Sequence, residues 1–236
     1  MISAIAGGSA FPVSGLKPNT NGTIWILGGA NGGSAVSIDG SNLVSFGLWA
    51  NFALTLKGAW NGLGTNTTTA SASSFTVPIS ITNWNNNVTL SDITISGTSG
   101  VPAGLTVTTT KNITLTRVQS NGNSNEGAYL DNSVGTGTVT VTSSQFNTNG
   151  TDGLDVYSNG MIALSTVTAN SNSGGVGAYL DNSLAFFPQA VNITGTNNTF
   201  NNDYLNGLLV FSFGNITAGN LHADGNSIGY ENNPSE

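Results

Sequence analysis

Apolar residues in this chain come in short alternating bursts, not at helical spacing. Val88-Thr-Leu90, Ile113-Thr-Leu115, Val139-Thr-Val141, Ile162-Ala-Leu164 and Val191-Asn-Ile193 place an aliphatic side chain at every second position. That period of two marks a strand buried on one side. With Gly214-Asn-Ile216 added, the bursts end at 90, 115, 141, 164, 193 and 216, recurring after 25, 26, 23, 29 and 23 residues. A second column runs in phase with the first. Gly127-Ala-Tyr-Leu-Asp-Asn-Ser133 returns unchanged at Gly177–Ser183, and Gly104-Leu-Thr-Val107, Gly153-Leu-Asp-Val156 and Gly207-Leu-Leu-Val210 are degenerate copies.

A third motif closes each unit: Val118-x-x-Asn121, Phe146-x-x-Asn149, Val167-x-x-Asn170, Phe200-x-x-Asp203 and Leu221-x-x-Asp224. A unit of about 25 residues with three short strands cannot bury its apolar side alone, whereas coil stacked on coil buries a continuous column. The pattern therefore predicts an all-β fold, a right-handed parallel β-helix (β-solenoid) of about eight coils. The whole chain, 1–236, reads as one solenoid domain: irregular coils, a cap or a donated strand over 1–60, regular coils over 61–231, and a tail over 232–236. Upstream strands are expected at Thr23–Leu27, Ala35–Ile38, Leu43–Phe46, Leu54–Leu56 and Phe75–Ile81, with a bulged loop over 65–74. Asn121, Asn149, Asn170, Asp203 and Asp224 are expected to form a turn ladder, each in the left-handed conformation that Asn and Asp tolerate.

Composition narrows the functional classes. Gly, Asn, Thr and Ser make up about 52% of the 236 residues, and charged residues only 6%. Lys17, Lys57, Lys111 and Arg117 are the only basic residues, too few to neutralise a phosphate backbone, so nucleic-acid binding is not expected. No apolar run approaches the ~18 residues of a membrane span, and a net charge of −7 disfavours anionic membranes. Residues 1–13 lack the basic start and apolar core of a signal peptide.

The run Lys57-Gly-Ala-Trp-Asn-Gly62, the segment Ile81–Leu90 and the Gly-Ala-Tyr-Leu-Asp-Asn units resemble the β-helix repeat regions of large bacterial surface and adhesin-like proteins. The resemblance implies an exported, extracellular or cell-surface location; the absence of catalytic groups, the open solenoid ends and the low charge lead to the expectation of a structural or adhesive role, not an enzymatic one.

If Ala128/Leu130, Leu154/Val156 and Ala178/Leu180 point inward, their neighbours form two outward columns. One reads Thr106, Tyr129, Asp155, Tyr179, Leu209; the other reads Thr108, Asp131, Tyr157, Asp181, Phe211. The resulting checkerboard of Tyr129, Asp131, Asp155, Tyr157, Tyr179 and Asp181 suits a protein interface or a glycan, whose rings stack on aromatics and whose hydroxyls bond to carboxylates. Two carboxyls ~5–9.5 Å apart can cleave a glycosidic bond, but no basic residue lies in these columns. The outward pairs Thr89/Ser91, Thr114/Thr116 and Thr140/Thr142 resemble a third possibility, an ice-binding plane, although the array breaks at Ala163/Ser165.

No other catalytic set is expected. His222 is the only histidine and there is no cysteine, so neither a zinc cluster nor a Ser-His-Asp triad can be assembled. No cofactor or metal is expected beyond weak calcium candidates at Asp152/Asp155 and Asp203/Asp224. Assembly is the remaining opportunity, because solenoid ends are sheet edges that invite another chain. The expected partner is a second copy, through the ends and the apolar segment 1–13. A further apolar patch comprises the inserted Phe186 and Phe187 with Leu209, Phe211 and Phe213, read either as a private lid or as a subunit contact.

Overall fold

The computed structural model describes residues 21–31, 33–41, 49–63 and 71–227. The expected strand Leu43–Phe46, most of the loop over 65–74, the segment 1–13 and the tail 232–236 lie outside them.

The chain winds into a parallel β-solenoid of about six turns, fewer than the eight expected, with about 26 residues per turn. Eight strands lie one above another in the first sheet and seven in the second. The regular part of the first sheet runs through Val88–Ser96, Ile113–Asn121, Val139–Thr142, Ile162–Ser165, Val191–Thr194 and Ile216–Ala218. Glu126–Asp131, Leu154–Tyr157, Ala178–Asn182 and Leu208–Ser212 stack in the second. The early coils are longer, since Gly22 pairs with Leu54 and Leu54 with Val88. The stretch Phe75–Ile81 divides into two strands, Ser73–Phe75 and Ile79–Trp84, around Pro78. Pro cannot donate to a ladder, which accounts for the break.

Each inward position meets its counterpart in the next coil. Val88, Ile113, Val139, Ile162 and Val191 form one buried file, and Leu90, Leu115, Val141, Leu164 and Ile193 another. Leu130, Val156 and Leu180 are likewise piled directly over one another and fully buried. This stacking supplies the core, because a strand in the middle of the pile has its apolar side against the interior and its backbone bonded above and below. In the last coil the register is two residues later than the alternation suggests: Val191 pairs with Ile216, not with Gly214. A shift of two keeps the same side chains inward.

The third column is thinner than expected. It begins as the far half of the long strands, then continues as single bridges Gln119–Gln145, Gln145–Thr168 and Thr168–Thr199. One left-handed residue per coil, not a polar loop, turns the chain from the first column into it: Asp92, Arg117, Ser143 and Thr166, with φ from 50° to 58°. At this corner Arg117 lies over Asp92 and binds it through two N–H donors at 2.6 and 2.9 Å. Arg117 is exposed and Asp92 largely covered, and the two-point pair ties neighbouring coils at this corner.

The next corner carries the asparagines. The expected ladder residues are not themselves left-handed; the residue after or before each one is. Gly122, Thr148, Ser171, Asn202 and Gly225 have φ of 57–67° and are flanked on both sides by amides or carboxyls. The repeating unit is therefore Asn-x-Asn, and it builds two ladders instead of one. In the outer ladder, backbone N–H groups of Asn147, Asn170, Asn201 and Asp224 donate to Oδ1 of Asn121, Asn147, Asn170 and Asn201. In the inner ladder the polarity is reversed. Asn123 donates through both N and Nδ2 to Oδ1 of Asn149, Asn149 to Asn172, and Asn172 to Asp203. Asn121, Asn170 and Asp224 thus belong to the outer ladder, Asn149 and Asp203 to the inner one. The side chains imitate backbone groups where a left-handed bend interrupts the sheet.

The inner ladder also explains the recurring glycines. A Cβ on Gly127 would come within 2.5 Å of Asn149 Nδ2 and 2.4 Å of the Gly153 carbonyl. One on Gly153 would come within 2.6 Å of Asn172 Nδ2 and 2.5 Å of the Gly177 carbonyl. The strand can enter the second sheet only by passing directly over the ladder.

Candidate functional site

The outward columns of the second sheet are paired as the alternation predicts. Tyr129, Asp155, Tyr179 and Leu209 are in register, as are Asp131, Tyr157, Asp181 and Phe211. Strand geometry sends these side chains to the opposite side from Leu130, Val156 and Leu180. The aromatic members lean across the two columns to form one ladder. Successive ring centroids of Tyr129, Tyr157, Tyr179 and Phe211 are 5.6, 5.4 and 5.5 Å apart, with tilts of 38–40°. These separations are in the attractive range for aromatic pairs.

The carboxylates separate into two kinds. Asp131 Oδ1 accepts from the N–H and hydroxyl of Ser133 at 2.8 and 2.6 Å, and Asp181 does the same with Ser183 at 2.8 and 2.7 Å. Each also accepts a long, 3.4 Å bond from the Tyr129 or Tyr179 hydroxyl. These aspartates secure the turn that leaves the second sheet. The following Asn132 donates to the carbonyl of Lys111, and Asn182 to the carbonyl of Gly160. The duplicated Gly-Ala-Tyr-Leu-Asp-Asn-Ser segment is consequently accounted for residue by residue: close approach, core, ring, core, turn clamp, coil bridge and clamped serine.

Asp155 is different. It is 7% exposed, and its Oδ1 is buried without a hydrogen-bond partner. Burial foremost, then the charges of Asp152 and Glu126, pushes its carboxyl up to about 8. Burial and the charge of Asp152 also raise Glu126. Burial and the adjacent Asp155 push the Tyr157 phenol up to about 12. The sequence reading had Asp155 as one of several solvent-facing carboxylates; it is a buried acid between Tyr129 and Tyr179. Alternation alone does not reveal this burial.

Of the calcium candidates, Asp152 lies close enough to perturb Asp155, but Asp152 Oδ1 is held by the Val176 N–H at 2.6 Å. Asp203 and Asp224 stand on different ladders. Among the described residues, no group of three or more His, Asp or Glu side chains is arranged to hold a metal ion. The threonine column runs in register through Thr23, Thr55, Thr89, Thr114 and Thr140 and is then interrupted by Ala163 and Asn192.

At the corner leaving the second sheet, Phe186 and Phe187 are 78% and 74% exposed. They do not close as a lid over Phe211 and Phe213, which are themselves exposed; Leu209 is half-buried. Val134 and Leu184 add to this apolar corner. Sequence reasoning missed Asn123, Asn147, Asn172, Asn201 and Asn226, although the Asn-x-Asn spacing carries them.

No protein-family model, curated protein or solved structure matches the chain.

Proposed function

We propose that this chain is a non-catalytic structural or adhesive solenoid of the cell exterior, which extends lengthwise when its C-terminal coil receives a second copy. The observation that supports this reading is the condition of the last coil. Ile216 continues the file of Val88, Ile113, Val139, Ile162 and Val191, all fully buried, yet is 52% exposed; Leu221 beside it is 38% exposed. The strand Ile216–Ala218 is the final one of its sheet among the described residues and pairs on one side with Val191–Thr194. Such an edge is a template for another parallel strand. The first described strand of the same sheet, Gly22–Leu27, stands at the opposite end, so head-to-tail stacking continues the register in an open, non-closing series. Electron microscopy of the purified protein over a concentration series tests this: rods lengthening in multiples of one unit support it, and rods of constant length refute it.

The ring ladder favours a second reading, recognition of a glycan on the second sheet. Tyr129, Tyr157 and Tyr179 offer hydroxyls and partly exposed rings, and Phe211 ends the ladder 46% exposed. Binding on a glycan array that disappears in the Tyr129→Ala/Tyr179→Ala double variant supports it. Absence of binding, or binding indifferent to the double variant, removes it.

A further inference from the structure

The inner ladder has one rung of different chemistry. At Asn123, Asn149 and Asn172 the side-chain oxygen accepts from the coil before, while N and Nδ2 both donate to the coil after. Asp203 takes the fourth position. Its Oδ1 accepts from Asn172 N and Nδ2 at 2.8 and 2.9 Å, and its backbone N–H donates to Asn226 Oδ1 at 2.9 Å. Everything matches the preceding rungs except the remaining side-chain atom. Where the others carry an amide nitrogen, Asp203 carries Oδ2, which is buried and has no partner.

The surroundings of that atom are built for a donor. Above Gly153 the ladder presents Asn172 Nδ2 beside the Phe146 carbonyl; above Gly177 it presents Asp203 Oδ2 beside the Ala169 carbonyl. The register directs the same atom toward Asn226 Oδ1, which is already an acceptor. An ionised carboxylate there sets oxygen against oxygen in a site that is 2% exposed. A protonated carboxyl supplies the missing O–H and completes the ladder.

We propose that Asp203 is a proton-operated latch for the C-terminal coil, joining residues 204–227 to the stack when its carboxyl is protonated and loosening them when it ionises. The charge that reaches it from the neighbouring coils is that of Asp152, and it favours the proton. Asp224 and His222, on the overlying coil, are exposed. Burial, opposed by the two bonds from Asn172, places this carboxyl at about 6. Protection of the coil is therefore fully present below the ordinary carboxyl range near pH 4 and lost as pH rises through 6. The latch is independent of whether the edge at Ile216 receives another chain, since it concerns attachment of the coil to its own stack.

Hydrogen–deuterium exchange of the intact chain, corrected for the intrinsic pH dependence, tests this on peptides covering 204–227 and, as a reference, 139–165. The opening equilibrium of the 204–227 peptides should rise roughly fiftyfold between pH 4 and pH 7.5, beyond any change in the reference. In Asp203→Asn, whose amide restores the donor, the extra rise should vanish and protection at pH 7.5 should exceed that of the parent. Equal pH dependence in parent and variant, or a variant less protected at pH 7.5, overturns the proposal. So does restoration of protection at pH 7.5 by millimolar calcium, because a cation rather than a proton would then satisfy Oδ2.

Discussion

The backbone N–H and the Nδ2 of Asn123 converge on a single oxygen, Oδ1 of Asn149, at 3.1 and 3.0 Å, and both residues are buried. Asn149 passes the pattern on to Asn172 in the next coil. Asn149→Ala leaves the backbone N–H of Asn123 buried without an acceptor and its Nδ2 with only Ser120 Oγ, at 3.1 Å. With an orphaned buried donor costing about 1–3 kcal/mol, the variant should lose roughly that much. Urea unfolding with an unchanged m-value checks this; a loss below about 1 kcal/mol would show that water replaces the rung.

The glycine beneath that ladder gives a steric counterpart. In Gly153→Ala the new methyl meets the carbonyls of Gly177 and Phe146 at 2.5 and 2.6 Å, atoms held by the sheet. The coil must part from its neighbour, so the variant should be destabilised by at least ~2 kcal/mol or fail to fold. Gly219→Ala is the control, since nothing lies within 4 Å of its Cβ position and it lies just past the end of the strand Ile216–Ala218. Thermal unfolding should move for the first and stay within a degree or two for the second.

Tyr157 sits between the rings of Tyr129 and Tyr179. Tyr157→Ala removes two ring contacts, each worth about 0.5–1.5 kcal/mol beyond burial. Tyr157→Phe keeps them. A large loss for alanine and a small one for phenylalanine, in chemical unfolding, is expected if the ladder is cohesive; equal losses would assign its value to the hydroxyl.

Asp155 makes stability pH-dependent in a definite direction. Its folded-state carboxyl lies at about 8, above the unfolded value near 4, so the protonated form favours folding. That contribution is complete below about pH 4 and is lost as pH rises through 8. The Asp203 carboxyl, at about 6, has given up nearly all of its contribution by about pH 7.5, so the interval from 7.5 to 8.5 reports mainly Asp155. Melting temperature should fall across that interval in the parent and stay level in Asp155→Asn. A parallel fall in both would place the titrating group elsewhere.

The fold was legible because its two main columns are written twice over, in period-two strands and in a recurrence near 25 residues. The pairing of Tyr129 with Asp155 and Tyr179 followed from the same alternation. The turns were harder. An asparagine signals a left-handed bend in isolation, yet at Asn149 and Asn170 it serves as a rung while Thr148 and Ser171 take the bend. Position along the chain cannot distinguish these roles when the step between coils varies from 23 to 31 residues, as it does from Asn149 to Asn172 and from Asn172 to Asp203. Burial of Asp155 was likewise invisible, because alternation assigns a residue to a side of the sheet and not to a degree of burial. The apolar corner at Phe186 was visible as an insertion, but its exposure is a property of the folded loop.

Lengthwise growth through the final coil is tested most directly by sedimentation velocity of the parent and of Ile216→Lys across a hundredfold range of concentration. The parent should shift to successively faster boundaries while its frictional ratio rises, the mark of lengthening rods, and the lysine variant should remain a single slow species with an unchanged fold by circular dichroism. A parent that sediments as one concentration-independent monomer, or a variant that assembles as readily as the parent, would contradict the account.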